Sequence, residues 1–475
     1  MSVGILLCLV ILLPLVGGVF VLNAKDAVVS NAKNARHTAL LTVFSNILLI
    51  LFLFSHFQSA ENQTLGLIDI SFALTNKIEF IFGADLFALV FVFGVQIAVF
   101  VGILGVKKEV QSQKGVLFFA LCYLCLTNGY FFARDICSFY ICFCGQLFPL
   151  YMLICFANSE IQNTKLFYLF AHYFIGAALL FASFVLIMHT KQGDVLIEKI
   201  SSVHFSHQKS IYIWGGIFLA LMLRMPVWPF YHALTSVSVK LTNPLALIAL
   251  NFLPLSGVYA LTRYWPLDIP VEIELLSPIF QILCIVTMLV AAFGGLIYSN
   301  TAQKIHHYIF VYDLLYMLAV FLPTDVIRMN IAYSVFSFLL MGACLIVLQS
   351  HMQTQSLKTG LALKGILCHM PKASLCYFLF VLAAIGLPVS AFFWNNFLIV
   401  SEIFNYHLYA GTAVIFAMTL AAVSLLEGAY ELKTQTCLPQ TQIKIKDIDI
   451  FSFCVCVLIM SVLLVSVVRP LWFVF

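Results

Sequence analysis

Residues 221–234 read LMLRMPVWPFYHAL, and residues 383–399 read AAIGLPVSAFFWNNFLI. Both stretches lie inside long apolar runs, and both carry proline where a helix interior would be expected. Proline has no N–H to donate and its ring clashes with the preceding turn, so Pro226, Pro229 and Pro388 each predict a broken helix. Within a bilayer the backbone groups freed by a break must find partners in protein or in a hydrated cavity. Pro-interrupted spans at matching places in two halves of a chain point to an inverted-repeat transporter. The two breaks are five spans apart. Two units of five spans fit, and an odd number of spans per unit requires the units to run in opposite directions through the membrane.

Working outward, fourteen apolar runs are long enough to cross the hydrocarbon core as helices: 3–22, 38–57, 84–105, 115–133, 136–157, 166–188, 210–231, 242–263, 277–298, 304–322, 328–350, 373–400, 408–428 and 448–472. The expected fold is an all-α polytopic membrane protein. Residues 1–83 hold two helices and an outer loop or hairpin, and 84–114 a third helix. Residues 115–263 and 264–428 hold the two five-helix repeats, and 429–475 a polar linker and the last helix. The alternating LGLIDISFAL within 62–80 predicts a short β-hairpin or interfacial segment. The first run lacks a basic leader and a small-residue cleavage site, so it reads as a retained helix.

Composition supports this reading. Of 475 residues, 63% are hydrophobic and 9% charged, with a mean hydropathy of +1.06; an ordinary soluble domain carries about 25% charge. A soluble enzyme, a nucleic-acid binder and a disordered chain are all excluded. Fifteen of the 24 basic residues fall in loops on one face of the fourteen-span arrangement, among them Lys107, Lys304, Lys364 and Lys446. The positive-inside rule makes that face cytoplasmic or matrix and leaves both termini outside. The 14 cysteines are scattered, nearly all within apolar runs, and read as small helix residues.

The same stretches carry a resemblance. LMLRMPVWPFYHAL is similar to the KxPxxPFHxWLP segment of the antiporter-like membrane subunits of respiratory complex I, the M/ND4 family, and of the related Mrp cation/proton antiporters. GVYALTRYW (257–265) resembles their GxYGLLR, AAIGLPVSAFFWNNFLI their LGLPxxSGFxGEFLI, and FYICFCGQLFPLYMLI (139–154) their FYxFWExxLIPMYxLI. The resemblance covers roughly residues 80–430. It implies proton movement along buried ionisable groups at mid-membrane, but the positions that should carry them are mostly neutral. The glutamate of span 5 falls on Cys144, the lysine of span 7 on Arg224, the lysine of span 8 on Leu255 and the glutamate of span 12 on Asn396. The family histidine falls on Tyr231, followed by His232.

An arginine holds its proton where a lysine can lend one. Arg224 therefore reads as a structural or electrostatic group, with Tyr231, His232, Asn251 and the carbonyls freed by Pro226 and Pro229 as expected partners. Other polar residues offer a different route: Asp313 in mid-span 10, His306 and His307 before it, His172 in span 6, and Glu402 at the end of span 12. An ionisable group inside a membrane is a functional candidate by default, and histidine is the natural relay. The plainer reading sets His306 and His307 in solvent at the membrane edge and Asp313 against a tyrosine. Asp85 reads as a cap at the entry to span 3.

The resemblance implies a membrane subunit of a proton-translocating NADH:quinone oxidoreductase. Such a subunit binds no cofactor of its own and works with other membrane subunits, in a bacterial plasma or mitochondrial inner membrane. Two alternatives stand beside it: an Mrp-type Na⁺/H⁺ antiporter subunit, and a diverged paralogue that keeps the scaffold without pumping.

Overall fold

Within the described residues the apolar runs fall largely on helix, and the prolines mark where a run becomes two helices. The computed structural model describes residues 3–24, 33–59, 68–75, 78–106, 113–157, 163–190, 196–197, 206–264, 277–322, 325–359, 363–434 and 446–468. Several loop charges used for the orientation, including Lys25, Lys77, Lys107, Lys108, Lys191 and Lys444, lie outside these residues. So does most of the expected polar linker. Among the described residues, ten helices are long and apolar enough to cross a membrane.

The chain divides into two units. The first comprises Met1–Gln96, Lys108–Val237 and Phe252–Leu283, and the second Ile97–Lys107, Ser238–Asn251 and Cys284–Phe475. These units do not coincide with the expected segments 115–263 and 264–428. Ser238–Asn251 groups with the second unit, and Phe252–Leu283 with the first.

In the first unit, α1 (Val3–Asn23) packs with α2 (Lys33–Ser59) and α4 (Gln113–Phe132); of α3 (Leu86–Gly105), the residues up to Gln96 belong to this unit. Pro14 lies inside α1 and cannot bond the Val10 carbonyl one turn back. Two buried amides take its place: Asn46 Nδ2 donates to Val10 O at 3.1 Å and Asn128 Nδ2 at 2.9 Å. Gln96 Nε2 in turn donates to Asn128 Oδ1 at 3.0 Å.

The hairpin is present, displaced toward span 3. Strands β1 (Ile68–Thr75) and β2 (Ile78–Ala84) pair antiparallel, Ile70 opposite Phe82 and Phe72 opposite Phe80. The strand β2 is pinned to the chain after α4: Arg134 N donates to Ile81 O, and Ile81 N to Asp135 Oδ1 at 2.8 Å. Asp135 also caps α5 (Ile136–Gly145) through Ser138 N at 2.8 Å. Asp85 caps α3 as expected, accepting from Ala88 N at 2.9 Å, and also forms an ion pair with Arg263 at 2.8 Å. The remaining helices of this unit are α6 (Leu147–Ala157), α7 (Asn163–Thr190), α8 (His207–Met222), α9 (Tyr231–Ser238) and, after α10 (Pro244–Phe252) of the second unit, α11 (Pro254–Tyr264). The run 242–263, read as one span, is one candidate crossing over Pro244–Arg263, with the helix interrupted at Leu253.

The second unit is built from α10, α12 (Ser277–Ile297, from Cys284 onward), α13 (Thr301–Val320), α14 (Asp325–Thr359), α15 (Pro371–Ile385), α16 (Ala391–Tyr406), α17 (Leu408–Lys433) and α18 (Ile450–Val468). The helix α13 is at its centre and is buried over nearly its whole length, from Thr301 to Ala319. The helix α17 runs to Lys433, so the first residues of the expected linker are helical. Asp447 closes the N-terminus of α15, accepting from Lys372 N at 2.9 Å and Ala373 N at 3.1 Å.

The predicted break at Pro388 is sharp. Gly386 ends α15 in the left-handed region (φ 103°), and Ser390 starts α16, its hydroxyl accepting from Phe393 N at 3.2 Å. Pro388 frees the Ala384 carbonyl, and Tyr308 of α13 donates to it at 2.8 Å. A side chain at 386 would have room, since its Cβ would meet only Phe393 at 3.4 Å. The backbone angle is what demands glycine. Gly386→Ala is therefore expected to cost about 1–2 kcal/mol, whereas Gly215→Ala, at a helical position with open space around it, should be neutral or stabilising. Equilibrium unfolding of both variants in mixed micelles checks this; equal stability of the two would overturn the assignment.

Candidate functional site

Polar groups collect in one site per unit, at a helix break in the first and mostly along one unbroken helix in the second. In the first unit, the residues after α8 turn in short 3₁₀-like bonds (Arg224 N to Leu221 O, Met225 N to Met222 O) before α9 restarts at Tyr231. Arg224 projects from this break and is 2% exposed. Its guanidinium donates to Gln146 Oε1 at 2.9 Å, to Ser256 Oγ at 3.2 Å and to the Phe143 carbonyl, and it stacks 3.4 Å above the Phe143 ring. Gln146 stands at the junction of α5 and α6, and Ser256 in the first turn of α11. Three interrupted runs thus converge on one charge. Among the described residues no carboxylate pairs with it, so every partner is neutral.

This corrects the expected surroundings of Arg224. His232 is exposed, and Asn251 bonds within the second unit instead. Tyr231 is buried. His172 is buried in α7, its Nδ1 3.1 Å from Tyr168 O and its ring stacked on Phe230 at 5.6 Å. Cys144 and Leu255, at the charged positions of the resembled family, bring no charge to the site.

The second unit holds the richer set, most of it on α13. Lys304, assigned to a loop by the sequence pattern, is 1% exposed in the first turn and pairs with Glu427 of α17 at 2.8 Å. The close approach of α17 depends on Gly428, where a Cβ would lie 2.7 Å from Thr301 Cγ2 and 3.3 Å from Lys304 Cδ. His306 and His307 are buried rather than solvated at an edge. His306 Nδ1 is 3.1 Å from Asn251 Nδ2 of α10, and its Nε2 has no partner among the described residues. His307 Nδ1 faces Gln303 O at 2.8 Å.

Asp313 is fully buried and neither oxygen finds a hydrogen-bond donor among the described residues. The expected tyrosine cluster surrounds this turn, with the rings of Tyr308 and Tyr312 4.8 Å apart and those of Tyr312 and Tyr316 6.4 Å apart. None of these hydroxyls bonds the Asp313 carboxyl. Tyr316 donates to Ser334 O at 3.4 Å. Asn396 of α16 is buried, its Nδ2 on Phe392 O at 2.8 Å. Glu402 is half-buried at the far end of the same helix.

Sequence reasoning missed Gln146, Ser256, Glu427 and the buried Gln349 of α14. The polar residues in apolar runs were the available signal, but their spacing alone does not say which neighbour each one faces.

The family model described as "NADH:quinone oxidoreductase/Mrp antiporter, TM" matches residues 133–423. NADH-ubiquinone oxidoreductase chain 4 of Mycosarcoma maydis is 21% identical over 440 residues, covering 90% of this chain and 87% of the relative. A chain in the structure of respiratory complex I from Thermus thermophilus with bound NADH superposes with a TM-score of 0.84 at 19% identity, over 100% of this chain and 96% of that one. A chain of the Mrp complex from Dietzia sp. DQ12-45-1b gives 0.79 at 14% identity, over 99% and 95%. At these identities the two superpositions establish the fold.

The neutral cradle around Arg224 makes its own prediction. A lysine keeps the charge but loses the planar fork that reaches Gln146 and the Phe143 carbonyl together. Arg224→Lys is expected to destabilise by about 1.5–3 kcal/mol, the worth of one hydrogen bond to a charged group. Equilibrium unfolding in micelles reads the loss, and wild-type stability of the variant would overturn the described role of the fork.

Proposed function

The chain belongs to the NADH:quinone oxidoreductase/Mrp antiporter membrane family, and on that footing we propose that it is the antiporter-like membrane subunit of a proton-translocating NADH:quinone oxidoreductase. It is a multi-pass integral membrane protein. In this reading it crosses the bilayer fourteen times, with two inverted five-helix repeats and both termini on the outer side. Electron transfer is carried out by other subunits, and this chain moves protons in response.

The observation that carries the reading is the buried polar row of the second unit. Lys304, His306 and Asp313 lie on one helix with almost no exposure. His306 and Asp313 are seven residues apart, which puts them on one face about 10 Å from each other. Asn251 holds one nitrogen of His306 and leaves the other unpartnered among the described residues. A histidine held this way can take a proton on one nitrogen. Asp313 can hold a second, and the Lys304–Glu427 pair joins the row to the half-exposed Glu427. Buried ionisable groups of this kind are costly in a membrane, and where they occur they mark ion pathways.

The neutral surroundings of Arg224 favour a second reading, a scaffold subunit that conducts nothing. Its charge is fixed and its partners carry no titrating group, so in either reading the first unit contributes structure and field rather than a proton relay.

Native membrane vesicles separate the two. With assembly verified on native gels, Asp313→Asn is expected to lower NADH-driven proton uptake per NADH oxidised while leaving assembly intact. An unchanged ratio in both Asp313→Asn and His306→Ala supports the scaffold. Dissipation of an imposed pH gradient by added Na⁺, absent from vesicles lacking the chain, would favour the Mrp-type role instead.

The topology is checked separately. Epitope tags at both ends should be reachable only from the periplasmic or intermembrane side, and a split result would overturn the even count of crossings.

A further inference from the structure

Three cysteines that lie far apart in the sequence meet inside the second unit: Cys344 of α14, Cys376 of α15 and Cys456 of α18. They are 0%, 2% and 6% exposed, and all three are free thiols. The three helices pack on one another, and two contacts set them at a common level. His351 Nε2 of α14 lies 3.1 Å from Lys446 O, and Asp447 accepts from Lys372 N and Ala373 N in the first turn of α15. From that level Cys344 is two turns further into α14, on the face of His351. Cys376 is one turn further into α15, on the face of Lys372 and Ala373. The helix α18 brings Cys456 to the same depth, where its sulfur is in hydrogen-bond contact with both Cys376 and Cys344.

A buried thiol standing alone packs as a small apolar group and is chemically inert. Cys456 does not stand alone. Two S–H groups adjoin its sulfur, and an S–H is a weak donor that can hold a thiolate. A second sulfur is already within reach, so closing an S–S bond asks for little backbone movement. The helix α18 also exposes Cys454 and Leu458, so an oxidant dissolved in the bilayer meets the helix that carries the central sulfur.

We propose that Cys456 is the centre of a redox-sensitive thiol site, which a membrane-soluble organic hydroperoxide converts to a Cys376–Cys456 disulfide, with Cys344 as the alternative partner. The Cys456 sulfur attacks the peroxide; an S–O bond forms as O–O breaks, and the thiol proton leaves with the alcohol. The Cys376 sulfur attacks the sulfenic acid; S–S forms as S–O breaks, and the second proton leaves with water. Two thiols and one hydroperoxide give one disulfide, one alcohol and one water, and two electrons pass from sulfur to the peroxide oxygens. A thiol reductant reverses the change by exchange. The bond fastens the last helix, α18, to α15, the helix that ends at Gly386. The site does not depend on proton transport by the chain.

Native membranes holding the full chain provide the test. After cumene hydroperoxide, the remaining free thiols are blocked with N-ethylmaleimide in denaturant, and the peptides are mapped without reduction. The expected product is a linked pair of peptides carrying Cys376 and Cys456, which dithiothreitol separates. It should form at least about tenfold faster than in chain denatured before the peroxide, because the folded helices hold the two sulfurs together. Cys376→Ser should move the link to Cys344–Cys456, and Cys456→Ser should remove both. Maleimide on all three thiols, at a peroxide dose that consumes Cys454, would overturn the proposal. Equal rates of linkage in native and denatured chain would mean chance pairing and overturn it as well. Both of these outcomes are read in the wild-type chain, even if the serine variants fail to fold.

Discussion

Several helix interruptions among the described residues leave a carbonyl that lipid cannot satisfy, and side chains from distant parts of the chain answer those carbonyls. Pro14 frees Val10 O, and Asn46 and Asn128 take it. Pro388 frees Ala384 O, and Tyr308 takes it. At the α5–α6 junction the carbonyl of Phe143 goes to Arg224. At the end of α4 the carbonyl of Phe131 goes to the Tyr259 hydroxyl, which also accepts from Arg263 at 3.0 Å. In water each of these groups could be left to solvent. Within a bilayer each is a fixed demand, and meeting it ties helices distant in sequence to one another. In the first unit one of them, Arg224, is also the centre of the polar site.

This explains which parts of the fold were legible in the sequence. The apolar runs, the breaks at Pro226, Pro229 and Pro388, the hairpin and the cap at Asp85 follow from local rules: length, the missing N–H of proline, alternation, and a carboxylate before a helix. The donors answering the breaks do not follow from local rules. A proline at one position marks an orphan carbonyl four residues earlier, but nothing in the periodicity tells whether Asn46, Asn128 or another amide will reach it. For the same reason Tyr231, His232 and Asn251 are the partners that the sequence suggests for Arg224, whereas the observed ones are Gln146, Ser256 and the Phe143 carbonyl.

The charges tell a similar story. Counting loop lysines treats each as solvated, and Lys304 shows how one can be drawn inside. Its place at the start of an apolar run looks like a loop, yet Glu427, 123 residues further along, provides a counter-charge and Gly428 provides the room. His306 and His307 follow it inward by helical continuity. The departures from the resembled family are of one kind: charge has left the positions at Cys144, Leu255 and Asn396, and charge or its equivalent is present on α13. Asn396 keeps hydrogen-bonding capacity without a charge.

The cap that Asp447 places on α15 bears on how the protein is made. The N–H groups of Lys372 and Ala373 wait for a carboxylate 75 residues later in the chain. Synthesis proceeds from the N-terminus, so α15, the break at Pro388 and α17 all leave the ribosome before the residue that closes the first of them. The second unit cannot reach its final form step by step behind the ribosome. It is completed only when the segment at Asp447 arrives, and a chain that stops short of residue 447 would carry the whole polar row of α13 in an unfinished bundle.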